Sequence, residues 1–198
     1  MTTRRVAAAL FVLSSIPTLA AAETYAIDGA HSKILFKVRH LGISSVTGQF
    51  KQFSGSIELD KNDLKSLTSQ VVIESASVDT EQTDRDNHLR SGDFFDVQQH
   101  PQIRFESTGV ERADGQTVHL RGNLTIRGVT KPVTLEAVFG GAAAFQGKER
   151  IAFTATGRVN RKDFGVSWNR TLDTGGLVVA DDVDLVIEVE AVAESVSE

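Results

Sequence analysis

The sequence predicts an all-β fold, an eight-stranded antiparallel barrel with short helical cap segments, and three observations carry that expectation. Apolar and polar residues alternate with a period of two in eight separate runs from His31 onward, the pattern of half-buried strands. Turn signals stand between neighbouring runs: Asp114-Gly115 marks a tight hairpin, Gly128 to Pro132 the next turn, and Gly140-Gly141 a looser connection. The chain has no cysteine, so a packed core rather than a disulfide framework must stabilise it.

In chain order, "HSKILFKVRH" places Ile34, Phe36, Val38 and His40 on one face and Lys33, Leu35, Lys37 and Arg39 on the other. The run Val46 to Leu59 keeps one phase through Phe50, slips near Phe53, and resumes at Gly55, Ile57 and Leu59, which predicts a bulge or bend. Further strands are expected at Ser69–Val78, Gln102–Glu111, Thr117–Ile126, Pro132–Phe139, Ile151–Asn160 and Asp181–Ala193. Two stretches break the pattern. Thr83–Arg90 has helical spacing after a Thr/Asp cap, followed by a second short turn over Ser91–Gln99 before Pro101, and Arg161–Ala180 is irregular and holds the only Trp.

Ahead of the strands, Arg4 and Arg5 precede an apolar run from Val6 to Ile16 and the small residues Ala20 to Ala22. That order reads as a signal peptide over residues 1–22, leaving residues 23–198 as one exported domain. Loss of Arg4 and Arg5, two positive charges, would move the formal net charge from −5 to −7. An acidic chain without basic and aromatic residues interleaved is not expected to bind nucleic acid.

Inward faces would carry Val38, Phe50, Phe105, Leu120, Leu124, Leu135, Phe139 and Phe153, interspersed with Gly48, Gly55, Gly109, Gly122, Ala137, Ala155 and Gly157. An eight-stranded barrel is wide enough to hold one small ligand. Small residues leave volume unfilled, but they also serve where backbones bend or approach closely, so the pattern admits both a ligand cavity and a filled core.

Chemical signatures are scarce. There is no G-x-S-x-G, H-E-x-x-H, Walker loop or G-x-G-x-x-G. His31, His40, His88, His100 and His119 show no helical metal-ligand spacing, so neither a catalytic set nor a metal site is expected. His40 ends an apolar face, where its imidazole would either meet the polar end of a ligand or bond a neighbouring loop. Asp86 and Arg90 stand at i,i+4 and are expected to pair. Phe94-Phe95 must bury at least one ring, as a plug in the barrel or as lining of a ligand entrance. Arg127 and Lys131 read either as a phosphate clamp or as a solvated turn. Arg161 and Lys162 before Phe164 admit the same two readings, and Trp168 should cover apolar surface with its N–H satisfied at the rim.

Four segments in order, "YAIDGAHSKILFKVRHLGISSVTGQF", "SVDTEQTDRDNHLRSGDFFDVQQHPQIRFES", "GNLTIRGVTKPVTLEAVF" and "FTATGRVNRKDFGVSWN", resemble the YceI-like family along essentially the whole chain after residue 22. Tyr25 stands where that family commonly has Trp. The resemblance implies a lipocalin-like barrel, a periplasmic location and an apolar tunnel for a polyisoprenoid of quinone or prenyl-phosphate type, held for transport or storage. It implies no established reaction and no cofactor. Within it, Thr83–Ser107 resembles a cap whose charges anchor structure, and the ligand-binding residues would be the inward set above with His40, Phe94, Phe95, Phe164 and Trp168. Transient membrane contact and a homodimer fit the same reading. Two alternatives stay open: an enzyme acting on a bound isoprenoid through His40, Asp86 or His88, and a filled-core envelope-stress interaction protein.

Overall fold

An antiparallel sheet leaves unpaired backbone groups along both edges unless its outer strands meet. In this chain they meet. The computed structural model describes residues 22–171 and 176–194; the expected signal peptide, apart from Ala22, lies outside them. Eleven strand segments occur among the described residues: β1 (Glu23–Ile27), β2 (Lys33–His40), β3 (Ser44–Phe50), β4 (Phe53–Asp60), β5 (Asp63–Glu74), β6 (Val78–Asp79), β7 (Gln102–Asp114), β8 (Thr117–Ile126), β9 (Val129–Phe145), β10 (Lys148–Asn160) and β11 (Val179–Ala193), with one α-helix, α1 (Thr83–Arg90), and short 3-10 turns at Ser75–Ser77 and Arg161–Phe164.

These eleven segments form eight staves. β1 and β2 both run antiparallel along one edge of β11, at Ala191–Ala193 and at Val179–Glu188 respectively. Their other edges pair with β4 and β3, which in turn pair with β5 and β6. Each of these pairs is one strand interrupted once. From β5 the sheet continues through β7, β8, β9 and β10 to β11, closing an up-and-down ring. The expected count of eight therefore holds, but the strand lengths are corrected. β1 was not anticipated, the Val46–Leu59 run breaks at Lys51-Gln52, and β5 starts six residues before Ser69.

Two turn assignments are also corrected. The β8–β9 turn sits at Arg127 and Gly128, both with positive φ, and Pro132 lies inside β9 opposite Asn123. Gly140-Gly141 opens no loop, because β9 continues to Phe145. The register instead shifts between Ala152 and Phe153, with Gly141 opposite Ala152 at φ 114° and Phe139 opposite Phe153. One glycine is the extra residue of a bulge, which relieves the strand without ending it.

The connectivity makes the two ends of the barrel unlike. At the base are the short turns at Lys61-Asn62, Gly115-Gln116 and Gln146-Gly147, with Tyr25, Leu59, Val118, Ile151 and Ala191 at 1 % exposure or less. The Tyr25 hydroxyl reaches the carboxylates of Glu149 and Glu23 at 2.6 and 2.7 Å, and Lys61 pairs with Glu149. Burial first, and those carboxylates second, push the Tyr25 hydroxyl far above its ordinary titration. At the top are the β2–β3 turn, the Thr80–Pro101 cap with α1, the β8–β9 turn and the long β10–β11 connection. Ser91–Gln99 forms turns there and adds no helix.

The interruption between β1 and β2 is closed by side chains. The Ser32 hydroxyl accepts from the Glu190 N–H and donates to its carbonyl. Asp28 accepts from His31 at 2.9 Å, from Arg150 at 2.9 Å and from the Ala30 N–H at 3.0 Å. The His31 bond, then the Arg150 bond, lower the Asp28 carboxyl from 3.8 to about 2. A carboxyl lowered on folding stabilises above its unfolded pKa, and that contribution disappears as pH falls through the folded value. Between pH ~4 and ~2 the urea midpoint of the wild type should therefore fall toward that of Asp28→Asn, which lacks this dependence. Parallel pH profiles for the two proteins would refute the assignment.

Candidate functional site

A cavity of about 560 Å³ runs down the barrel from the top, within the ordinary range of small-molecule sites. Its wall is almost wholly apolar. Of the thirteen residues expected at a ligand site, Val38, His40, Phe50, Phe94, Phe95, Phe105, Leu120, Leu124, Leu135, Phe153, Phe164 and Trp168 all line it. Phe139 does not. It points inward as expected, but lies one step nearer the base, where its ring packs on Phe153 at 5.1 Å between centroids. Period-two alternation identifies the face of a residue, not its height along the axis.

The glycines do not create the hollow. A Cβ on Gly122 would sit 2.4 Å from the Phe105 ring, one on Gly48 2.3 Å from the Phe36 ring, and one on Gly157 2.6 Å from Leu135. They are positions where neighbouring side chains lie flat against the strand. Ala137 and Ala155, paired across β9 and β10, do line the cavity. So do Val183, Leu185, Ile187 and Val189 of β11, whose alternation in "VDLVIEV" was legible but was not assigned to the site.

Aromatic rings crowd the top. Phe95 meets Phe50 edge-on at 5.6 Å, and His88, Phe94 and Trp168 form a triangle with centroids 4.8 to 5.3 Å apart. Phe94-Phe95 thus serves both as plug and as lining. The Trp168 N–H finds no protein acceptor among the described residues, so the bond expected for it at the rim is absent there. His88 is held by Asp93 at 2.8 Å.

The charged groups of the cap bind backbone. Asp86, buried, accepts from the Thr80 N–H at 2.9 Å and from its hydroxyl at 2.6 Å. Arg85 donates to the Thr80 hydroxyl and carbonyl at 2.7 Å each, and Arg90 donates to the carbonyls of Ala76 and Val78. The expected Asp86–Arg90 pair does not form, because buried backbone acceptors and donors beside α1 take both groups. Arg127 is half-buried and not a solvated turn residue: it donates to the Phe94 carbonyl at 2.8 Å, whereas Lys131 is exposed.

Arg161 was anticipated as a phosphate ligand or a solvated cation and is neither. It is 6 % exposed and donates to the carbonyls of Ala180, Val166 and Trp168 at 2.8 to 2.9 Å, with longer contacts to Val179 and Asp181. Burial lowers its titration against the opposing pull of Asp181. One guanidinium thereby fixes both arms of the β10–β11 connection and the carbonyl of Trp168.

Polar lining is confined largely to the mouth, where exposed Arg39, Asp84 and Arg85 border the cavity. His40 lies among them, half-buried, and its imidazole has no hydrogen-bond partner among the described residues; the neighbouring-loop bond weighed for it does not form. Asp28, His31 and Glu190 bring donor atoms within 4.8 Å of one another elsewhere on the surface. Arg150 already bridges the two carboxylates there, so their charge is taken up by a guanidinium.

The fold of this chain is shared with known proteins. The YceI-like domain profile matches residues 25–191. A UPF0312 protein of Serratia proteamaculans is 42 % identical over 188 residues, covering 93 % of each chain. Burkholderia cenocepacia BcnA superposes with a TM-score of 0.72 at 26 % identity, over 83 % of this chain and 99 % of its own. A polyisoprenoid binding domain from Saccharophagus degradans gives a TM-score of 0.65 at 17 % identity, over 86 % of this chain and 98 % of its own, a likeness of fold. With the profile match spanning most of its length and a relative this similar, the chain belongs to the YceI-like family.

Proposed function

We propose that this chain is an exported, periplasmic carrier that holds a polyisoprenoid of quinone or prenyl-phosphate type in the barrel, for transport or storage. The observation that carries this reading is the cavity itself: about 560 Å³ with apolar walls and polar groups gathered at the mouth. At ~30 Å³ per water-sized unit, that volume holds on the order of twenty non-hydrogen atoms. Walls this apolar suit a prenyl chain of that size, and a compact polar metabolite would leave its polar groups unpaired against them. The structural likeness to a polyisoprenoid binding domain supports the same class.

Energetics favour exchange over permanent capture. Each buried CH₂ gains about 0.8 kcal/mol relative to water, but the competing environment for such a lipid is a bilayer, which is equally apolar. Net preference then rests on shape and on the polar end, for which His40 at the mouth, whose imidazole has no hydrogen-bond partner among the described residues, is the reading we favour. Binding suits the geometry better than turnover: Asp86 is held by the N–H and hydroxyl of buried Thr80, a contact that anchors the cap.

Native mass spectrometry of protein purified from its source should reveal a copurifying prenyl lipid. His40→Ala should lower affinity for a prenyl alcohol by roughly the worth of one hydrogen bond, about 1 kcal/mol or several-fold, with little change for the parent hydrocarbon. Protein that repeatedly emerges empty, and whose Trp168 fluorescence ignores added geranylgeraniol, would refute the carrier reading.

A further inference from the structure

We infer that the rim of the barrel mouth is a membrane-docking surface, with the β2–β3 turn and the neighbouring Leu177 inserting apolar side chains into a phospholipid bilayer. This rests on the carrier reading for its purpose, but not for its test.

Five large hydrophobic side chains are exposed among the described residues: Leu41, Ile43, Val138, Phe145 and Leu177. Isolated examples are normal on any surface. Three of these are not isolated. Leu41 and Ile43 form the β2–β3 turn, and the Leu41 N–H donates to the Val178 carbonyl at 2.9 Å, which sets Leu177 beside them. Ile43 is 82 % exposed, the most open of the five.

The turn chemistry makes the choice of residues more informative. Leu41 and Gly42 both have positive φ, at 55° and 72°, and the Ile43 N–H bonds the His40 carbonyl. That backbone ordinarily takes Asn-Gly or Asp-Gly. A leucine held in the left-handed region, with isoleucine next to it in water, serves neither the turn nor the core. The residues at this tip make sense as contacts with something apolar beyond the protein.

Position identifies the partner. His40, Arg39 and Val178 line the cavity, so the apolar tip is continuous with its opening. Exposed Arg39 donates to the Gly42 carbonyl, and exposed Arg170 accepts through its own carbonyl from the Val178 N–H, which places a cation on each of the two segments. Apolar side chains flanked by arginines match the acyl and phosphate layers of a bilayer surface. The acidic net charge of the whole chain opposes long residence there. The expected contact is brief, as lipid exchange requires.

The test is flotation with phosphatidylcholine vesicles containing phosphatidylglycerol as the minor lipid, using the whole folded protein. Wild type should associate, and Ile43→Asp combined with Leu177→Asp should lower the partition coefficient by on the order of tenfold or more. Phe145→Asp, at the sealed base and 59 % exposed, should leave it unchanged. Neither Ile43 nor Leu177 lines the cavity, so the double variant should keep the Trp168 response to geranylgeraniol added from ethanol. Equal flotation of wild type and double variant overturns the docking assignment. So does self-association of the wild type, seen by sedimentation without vesicles and lost in the double variant, because the patch would then be a protein interface. A wild type that floats but gives no Trp168 response upholds docking and removes the carrier reading alone.

Discussion

Ala155→Phe is expected to lower affinity for geranylgeraniol by up to on the order of a thousandfold, with the protein as stable as before or more so. The added ring displaces ~6 carbons of ligand, each worth about 0.8 kcal/mol against water. Ala155 is buried, faces Ala137 across β9 and β10, and both line the hollow. In a filled interior the same substitution would overpack and destabilise by ~1–3 kcal/mol. Isothermal titration and a urea melt on one variant therefore separate a hollow barrel from a solid one. Unchanged affinity would place the ligand outside the barrel, and a large loss of stability would mean that the space is already occupied by protein.

Arg161→Met should reduce the free energy of unfolding by ~3–5 kcal/mol, the usual penalty for breaking a buried, multiply bonded charged group. Methionine keeps much of the stem but leaves the carbonyls of Val166, Trp168 and Ala180 without their guanidinium donor, while Asp181 keeps only its Lys162 partner. Against a total stability of ~5–15 kcal/mol this is a large fraction. Arg161→Lys should recover only part of it, because an ammonium cannot reproduce a planar fork reaching acceptors on two arms. Urea denaturation of both variants decides the matter, and a loss below ~1 kcal/mol for Arg161→Met would show that solvent replaces the guanidinium.

The fold was largely legible because a barrel of this kind repeats one simple signal, alternation punctuated by turns. The phase slip near Phe53 was readable as the break between β3 and β4, and the α1 boundaries were readable from the helical spacing, although the cap is Gln82, whose side chain accepts from the Arg85 N–H, and not the expected Thr or Asp. β1 was not readable, since its partners are β4 and the far end of β11 and no hairpin announces them. For the cavity, inward phase located seven of the eight expected strand residues, while Phe139 missed because depth is fixed by closure of the ring; Phe94, Phe95, Phe164 and Trp168 lie outside the strands, where no alternation marks them.

Charged residues were the least legible. Asp86 and Arg90 satisfy the helical pairing rule in sequence, yet Thr80, Ala76 and Val78 offer partners that only tertiary structure brings near. The same holds for Arg161, whose acceptors lie up to twenty residues away. Side-chain hydrogen bonding to irregular backbone carries no periodic trace. Glycine was ambiguous for a related reason: at Gly122 the missing side chain is matched by the Phe105 ring across the strand pair.

The pairing of β1 with β11, closed by the Glu194 N–H bonding the Thr24 carbonyl at 2.9 Å, brings the two ends of the described strands together at the base. A tether attached immediately before Glu23 or after Glu194 consequently departs on the side opposite the opening. Immobilised on a sensor chip through either of these positions, the molecule stands with its aperture toward the flowing solution, so hand-over of a hydrophobic guest from passing liposomes can be timed directly.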